Sequence, residues 1–185
     1  QSLEDLARDA EILAKQEIRF DYLCYNPEAF PSSHTPAEEI QDPVAAVQRA
    51  RDMARRYGAK LIVVPDTRHT LMKHGTEMAR HADLFAIQLQ RWQPLPDEEF
   101  RRRAEEVIAL VRRGNPGIPV IAQLSTNPPV PGGDGEGGKT YQAMTPEQIQ
   151  RKVDSLRDLV DGVGFLAFRQ DDGVNRLETV LRGLR

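Results

Sequence analysis

The feature that most constrains the fold is an alternation of short apolar runs with longer amphipathic segments. Each run is nearly continuous in apolar residues, which is typical of strands that are covered on both faces of a parallel sheet. The five runs are FDYLCY at 20–25, KLIVVP at 60–65, LFAIQL at 84–89, PVIAQL at 119–124 and VGFLAF at 163–168.

The segments between these runs carry signals for the starts and ends of helices. Thr35 and Thr145 each begin a capping-box pattern with proline at the first helical position, and Ser2 begins a weaker version. Gly58 and Gly114 each follow a basic last turn, which indicates a helix C-terminus. We expect helices at roughly 2–16, 43–57, 71–81, 97–113, 146–159 and 173–183.

This order of strands and helices predicts a single α/β domain over residues 1–185 with a parallel sheet. One architecture is a TIM-like (βα) barrel that is shortened or lacks its first strand; the alternative is a flavodoxin-like, doubly wound open sheet. A barrel normally needs about 200 residues or more, so length favours the open sheet. The lack of a glycine-rich phosphate loop after any strand argues against an open-sheet nucleotide binder. Because a helix precedes the first run, we expect at least one strand upstream.

Polar side chains follow all five apolar runs, whereas the helix-to-strand ends are plainer. The carboxyl ends of parallel strands meet on one side of the sheet, where α/β proteins form their sites. The alternative is ordinary loop polarity, although the amides of Gln88 and Gln123 interrupt apolar runs and would need partners there. The residues that we expect to form the site are Tyr25, Asn26, Glu28, Asp66, Arg68, Gln88, Gln90, Trp92, Gln123 and Arg169.

Glu28 and Asp66 are the carboxylates placed directly at well-defined strand ends. Two carboxylates on one face can act as acid and base, or as nucleophile, in glycoside cleavage. In this hypothesis Arg68 and Gln88 position the substrate, and Trp92 stacks on a sugar ring. The alternative is a structural ion pair between Arg68 and one of the two carboxylates.

Other chemistries have weaker support in the sequence. His34, His69, His74 and His81 lack the spacing of a metal site, so we expect no metal or cofactor. Ser125, His69 and Asp66 could supply Ser-His-Asp chemistry, but there is no G-x-S-x-G motif. The single cysteine, Cys24, lies in an apolar run, and we expect a buried thiol.

The composition and hydropathy of the chain argue against a nucleic-acid partner and against a membrane span. The net charge is −3, which argues against a nucleic-acid binder, and no apolar run approaches the roughly 18 residues that span a membrane. The sequence indicates a soluble protein without specifying its compartment or oligomeric state.

The strand ends YNPE and VPDTR, with IQLQR on the next strand and DGVGFL near the end, resemble uncharacterised bacterial proteins with a TIM-barrel, glycoside-hydrolase-like appearance. The resemblance covers most of the chain from about Phe20 onward. It implies a barrel-type sheet and a sugar-related function, and we therefore expect the TIM-like barrel, shortened or lacking its first strand, rather than the open sheet. The sequence departs from well-studied glycosidase barrels in lacking a D-x-x-D-x-D-x-E run and a glutamate at the end of the fourth strand.

We therefore expect a carbohydrate-directed, glycosidase-like hydrolase whose ligand is a sugar or another small polar molecule. The alternative, favoured by the missing catalytic signature, is a non-catalytic small-ligand-binding or scaffold protein. The Gly- and Pro-rich segment at 127–141 is predicted to be a flexible loop over the same face, either as a lid or as a plain surface loop.

Overall fold

The fold is taken from a computed structural model that describes residues 2–29, 34–126, 144–167 and 173–184. A π-helical turn, Thr67–Leu71, leads directly into the fourth helix. The helices in these ranges are α1 Leu3–Lys15, α2 Ala37–Gln41, α3 Pro43–Arg56, α4 Met72–Ala79, α5 Asp97–Gly114, α6 Pro146–Asp154 and α7 Gly173–Gly183. The strands are β1 Tyr22–Tyr25, β2 Lys60–Val63, β3 Leu84–Gln88, β4 Val120–Ser125 and β5 Gly162–Leu166.

The five strands are parallel and lie in the sheet in the same order as in the chain. The register pairs Tyr22 with Lys60 between β1 and β2, and Ile121 with Gly162 between β4 and β5. A flavodoxin-like sheet has the strand order 2-1-3-4-5, so the observed order excludes that alternative. The prediction of a parallel, TIM-barrel-like (βα) repeat is confirmed, and within the described residues the sheet is not closed.

Only one face of β1 is covered. Leu23 and Tyr25 are buried, whereas Tyr22 and Cys24 are exposed. Successive right-handed crossovers that move in one direction place their helices on one face of the sheet, and α1 packs against β1 on that face. The expectation that this strand is covered on both faces is therefore wrong. Cys24 is exposed as a residue, but burial raises the pKa of its thiol, so the expectation of a buried thiol holds only in part.

The chain divides into two compact units, and the first comprises Gln1–Ile87 and Val107–Val120. Its core combines Leu61 and Val63 of β2 with alanines of α3 that recur at helical spacing, Ala46, Ala50 and Ala54. Their small side chains allow the helix backbone to approach the strands closely.

The second unit comprises Gln88–Glu106 and Ile121–Arg185. Among its described residues, the most buried charged side chain is that of Lys152 on α6, which is only 3% exposed. Its ammonium lies 2.6 Å from Asp97 Oδ1, donates to the carbonyl of Leu95 and stands 4.9 Å from the centroid of the Phe100 ring. Since each of these contacts favours a cation, Lys152 ties α6 to the start of α5 at little desolvation cost. The prediction of one domain over 1–185 stays a prediction.

The helix caps show where local sequence signals hold and where they fail. The capping boxes at Ser2 and Thr145 are confirmed, with each hydroxyl accepting the N–H three residues later. The capping box at Thr35 is wrong, because α2 begins with Pro36 at its N-cap and without a side-chain cap. The Thr35 hydroxyl instead accepts the N–H of Glu28 at 3.1 Å. None of the helices in the described ranges is long and apolar enough to cross a bilayer.

Both predicted glycine stops are confirmed, for different physical reasons. Gly58 follows α3 with a φ of 68°, a conformation that side chains with a Cβ rarely adopt. Gly114 ends α5 where a Cβ would lie 1.8 Å from the backbone oxygen of Thr76. The last turn of α5 therefore lies against α4 at a distance that only glycine permits.

We predict that Gly114→Ala lowers the free energy of unfolding by about 3 kcal/mol, because the new methyl group must displace backbone rather than a flexible side chain. Gly117→Ala is the matched control, since a Cβ there meets no atom within 4 Å. The control should change stability by less than about 1 kcal/mol. Urea denaturation followed by circular dichroism measures both variants, and equal midpoints would contradict the prediction.

Candidate functional site

The segments that follow β1 and β2 lie side by side in the first unit. The N–H of Val64 donates to the carbonyl of Tyr25 at 3.0 Å, and the N–H of Asp66 donates to that of Pro27 at 3.2 Å. These bonds continue the parallel ladder past the ends of both strands. The sequence motifs YNPE and VPDTR are therefore neighbours in space, at the edge where the sequence predicted a site.

The carboxylate of Asp66 is the hydrogen-bonding centre of this region and is only 7% exposed. Its Oδ1 accepts the N–H groups of His69 at 2.6 Å and Thr70 at 3.3 Å, which caps the π-helical turn. Its Oδ2 accepts the Thr70 hydroxyl and, at 3.1 Å, the N–H of Ala29. An ionised carboxylate offers about four acceptor positions, so these four donors saturate it.

Saturation limits what Asp66 can do chemically. To act as an acid, base or nucleophile it would have to release at least one internal donor, at a cost of about 1–3 kcal/mol. Among the described residues, Arg68 forms no ion pair with Asp66 or Glu28, and the Arg68 side chain is exposed. The geometry thus favours a structural role for Asp66, and its catalytic role stays a prediction.

Glu28 differs from Asp66 in being half-buried. Its Oε1 accepts a hydrogen bond from the amide of Asn26 at 3.2 Å, and its own N–H is held by Thr35. The next residue, Ala29, is bound by Asp66. The structure therefore brings Asn26 and Glu28 together on a segment that is fixed at both ends, and it leaves them partly open to solvent.

The residues of the π-helical turn differ clearly in burial. Thr67, Thr70 and Leu71 are buried, whereas Arg68 and His69 are exposed. π-Helical turns frequently occur at functional sites. Sequence analysis placed these residues at a strand end but did not find the turn, because i→i+5 hydrogen bonding has no recognisable residue pattern.

Tyr25 is placed differently from the other predicted site residues of this unit. It is fully buried, and its hydroxyl donates to Glu39 Oε2 at 2.6 Å. Glu39 also accepts the N–H of Leu3 at the start of α1, at 3.0 and 3.2 Å. Burial and the neighbouring Glu39 raise the pKa of Tyr25 well above its usual value. Tyr25 therefore anchors β1 to α1 and α2, and its role as a substrate contact stays a prediction.

Four predicted site residues fall in the second unit, and all four are half-buried: Gln88, Gln90, Trp92 and Gln123. The two amides expected to be buried within strands, Gln88 and Gln123, are thus partly open to solvent. The guanidinium carbon of Arg103 lies 5.7 Å from the centroid of the Trp92 ring, a cation–π contact that occupies one face of the indole. Arg169 and the loop at 127–141 lie outside the described residues.

Sequence reasoning missed Gln93, which is fully buried beside the end of β4. Its Nε2 donates to the carbonyl of Ser125 at 2.7 Å, and its Oε1 accepts the N–H of Ser125 at 2.8 Å. A side-chain amide here replaces a backbone partner and fixes the last residue of the strand. No pattern in the segment QRWQP distinguishes this glutamine from its exposed neighbours.

The histidines show no arrangement that would bind a metal. Within the described ranges, no three His, Cys, Asp or Glu side chains are grouped so that they could hold an ion. The ring of His81 lies 3.0 Å from the amide of Gln48. Burial, together with the charges of Arg51 and Arg80, lowers the pKa of His81 below its usual value, which disfavours its cationic form.

No family model matches this chain, and the comparison with curated proteins found no match. Among solved structures, one similar chain is a Bacteroides thetaiotaomicron protein proposed to be an alpha-L-fucosidase. It shares a TM-score of 0.58 and 10% identity over 97% of this chain and 59% of its own. The present chain has a TIM-barrel-like fold. The present chain spans about three fifths of the length of the Bacteroides thetaiotaomicron protein.

Two further structures are similar at lower scores. A Rhizomucor miehei β-1,3-glucanosyltransferase matches 70% of this chain and 47% of its own, with 13% identity and a TM-score of 0.42. A xylose isomerase-like TIM-barrel protein of Mycobacterium smegmatis matches 95% of this chain and 62% of its own, with 14% identity and a TM-score of 0.42.

We predict that Asp66→Asn lowers the free energy of unfolding by about 2–3 kcal/mol, because an amide NH₂ would face donors that now bind a carboxylate oxygen. Asp42→Asn is the matched control. Asp42 caps α3 through a single bond from the N–H of Ala45, and asparagine caps a helix equally well. Thermal and urea denaturation measure both variants, and an Asp66→Asn protein as stable as the control would show that the four bonds are dispensable.

Proposed function

We propose that the protein binds a carbohydrate at the carboxyl ends of β1 and β2. The observation that carries this proposal is the bond from the N–H of Ala29 to Asp66, which holds the Asn26–Glu28 segment beside the π-helical turn. The amide of Asn26, the carboxylate of Glu28 and the guanidinium of Arg68 thereby lie at neighbouring strand ends, in partly or fully exposed positions. Such groups donate and accept hydrogen bonds in the way that sugar hydroxyls require.

The fold supports the same location. TIM-barrel enzymes form their sites at the carboxyl ends of the strands, where Asn26, Glu28 and Arg68 lie. A neighbour with this fold is proposed to be an alpha-L-fucosidase. Since one fold hosts many functions, the proposal depends on the side chains at the strand ends rather than on this likeness.

Glycoside hydrolysis is the second candidate, and the partial exposure of the Glu28 carboxylate favours it. In this hypothesis Glu28 and Asp66 are the catalytic pair, with Arg68 as a substrate contact. Most glycosidases use two carboxylates that both reach the scissile bond. Because Asp66 is buried and saturated by internal donors, binding without hydrolysis is the better supported of the two functions.

We predict that Glu28→Gln weakens oligosaccharide binding by about tenfold, because the loss of charge removes a charge-assisted hydrogen bond of about 1.5–3 kcal/mol. Isothermal titration with a panel of oligosaccharides measures the affinity. Glu11→Gln is the control, since Glu11 is an exposed residue of α1 whose ion pair with Lys15 contributes little. Assay of released reducing ends on the same panel separates binding from hydrolysis.

The outcomes distinguish the two candidates. Binding without released product supports the proposed function, whereas product that disappears in Glu28→Gln supports hydrolysis. An absence of binding to every oligosaccharide in the panel would overturn the proposal. Equal affinities for Glu28→Gln and wild type would remove Glu28 from the site.

A further inference from the structure

We infer that the carbohydrate bound at this site carries an anionic substituent, a carboxylate or a sulfate, and that Arg68 and His69 of the π-helical turn bind it. The inference rests on the carbohydrate-binding function proposed above and specifies the class of its ligand.

The π-helical turn determines where these two side chains point. Thr67, Thr70 and Leu71 are buried on its inner side, and the same turn leaves Arg68 and His69 in solvent. Both follow β2 directly, at the strand end beside the Asn26–Glu28 segment. Two adjacent donors are thus presented beside the proposed site.

The guanidinium of Arg68 is exposed and forms no ion pair within the described ranges. Some exposed arginines of this chain pair with a carboxylate three or four residues away, as Arg8 does with Asp5 and Arg182 with Glu178, whereas others, such as Arg55, form no ion pair within the described ranges. Within the described ranges, neither Arg68 nor His69 has a side-chain hydrogen bond or an ion pair. The nearest carboxylate in the sequence, Asp66, is turned inward and saturated.

The chemistry of the groups favours an anion over a hydroxyl. A guanidinium presents parallel N–H donors that match the two oxygens of a carboxylate or sulfate, and the imidazole of His69 supplies a further donor. The carboxylate of Glu28 would repel an anionic group on its own side of the site. A charged sugar would therefore bind with its anionic substituent towards the π-helical turn and its hydroxyls towards Asn26 and Glu28.

The test compares three oligosaccharides of equal length by isothermal titration: galactose oligomers, galacturonic acid oligomers and sulfated galactose oligomers. At low salt, we expect at least one of the charged oligomers to bind about tenfold more tightly than the neutral one. Added sodium chloride should remove this advantage, because salt screens exposed charges. The two charged oligomers distinguish a carboxylate from a sulfate.

Arg68→Gln should abolish the preference for charged oligomers, because its loss of affinity for the charged oligomers should exceed any loss of affinity for the neutral one. Arg55→Gln is the matched control, because Arg55 is exposed in the last turn of α3, which leads into the opposite end of β2. It removes the same charge and should leave the preference intact.

Equal binding of all three oligomers, unchanged in Arg68→Gln, would overturn the inference and leave the carbohydrate-binding function standing. An absence of binding to any oligomer would overturn both. A preference for charged oligomers that Arg55→Gln also abolishes would show a general effect of net charge, and the assignment to Arg68 would then be wrong.

Discussion

The strand-end region of the first unit depends on one buried carboxylate. Burying an ionised group without partners costs several kcal/mol, and Asp66 is stable in place because four donors from two segments converge on it. Those same bonds cap the π-helical turn and hold the N–H of Ala29. The positions of Glu28 on one side and Arg68 on the other both follow from this single group.

Elsewhere in the chain, too, a buried polar side chain forms hydrogen bonds with backbone groups that have no partner within their own helix or strand. Glu39 binds the first N–H of α1, and Gln93 pairs with both backbone groups of Ser125 at the end of β4. Lys152 binds the carbonyl of Leu95. Buried polar groups are nearly always hydrogen-bonded because an unpaired one is costly, so these residues stabilise element ends and contribute nothing visible at the surface.

These internal hydrogen bonds divide the predicted site into groups that are saturated by internal partners and groups that keep some exposure. Asp66 and Tyr25 are occupied by internal partners, and one face of Trp92 is covered by Arg103. Glu28 and Arg68 keep exposure at neighbouring strand ends. Because Asp66 would have to release internal donors before it could take part in hydrolysis, binding is supported better than hydrolysis.

The sequence alone determined the five strands and most of the helix ends, including the end of α5 at Gly114. Apolar periodicity and capping depend on residues that are close in the chain, which is why local sequence is sufficient for them. It also located the strand-end edge where Asn26, Glu28 and Arg68 lie. The sequence did not predict properties that depend on contacts with distant segments. Cys24 is exposed because the helices cover only one face of β1, and Thr35 binds Glu28 instead of capping α2. Which polar side chains remain available to a ligand was decided by tertiary structure, since a donor brought from a distant segment leaves no trace in the local sequence.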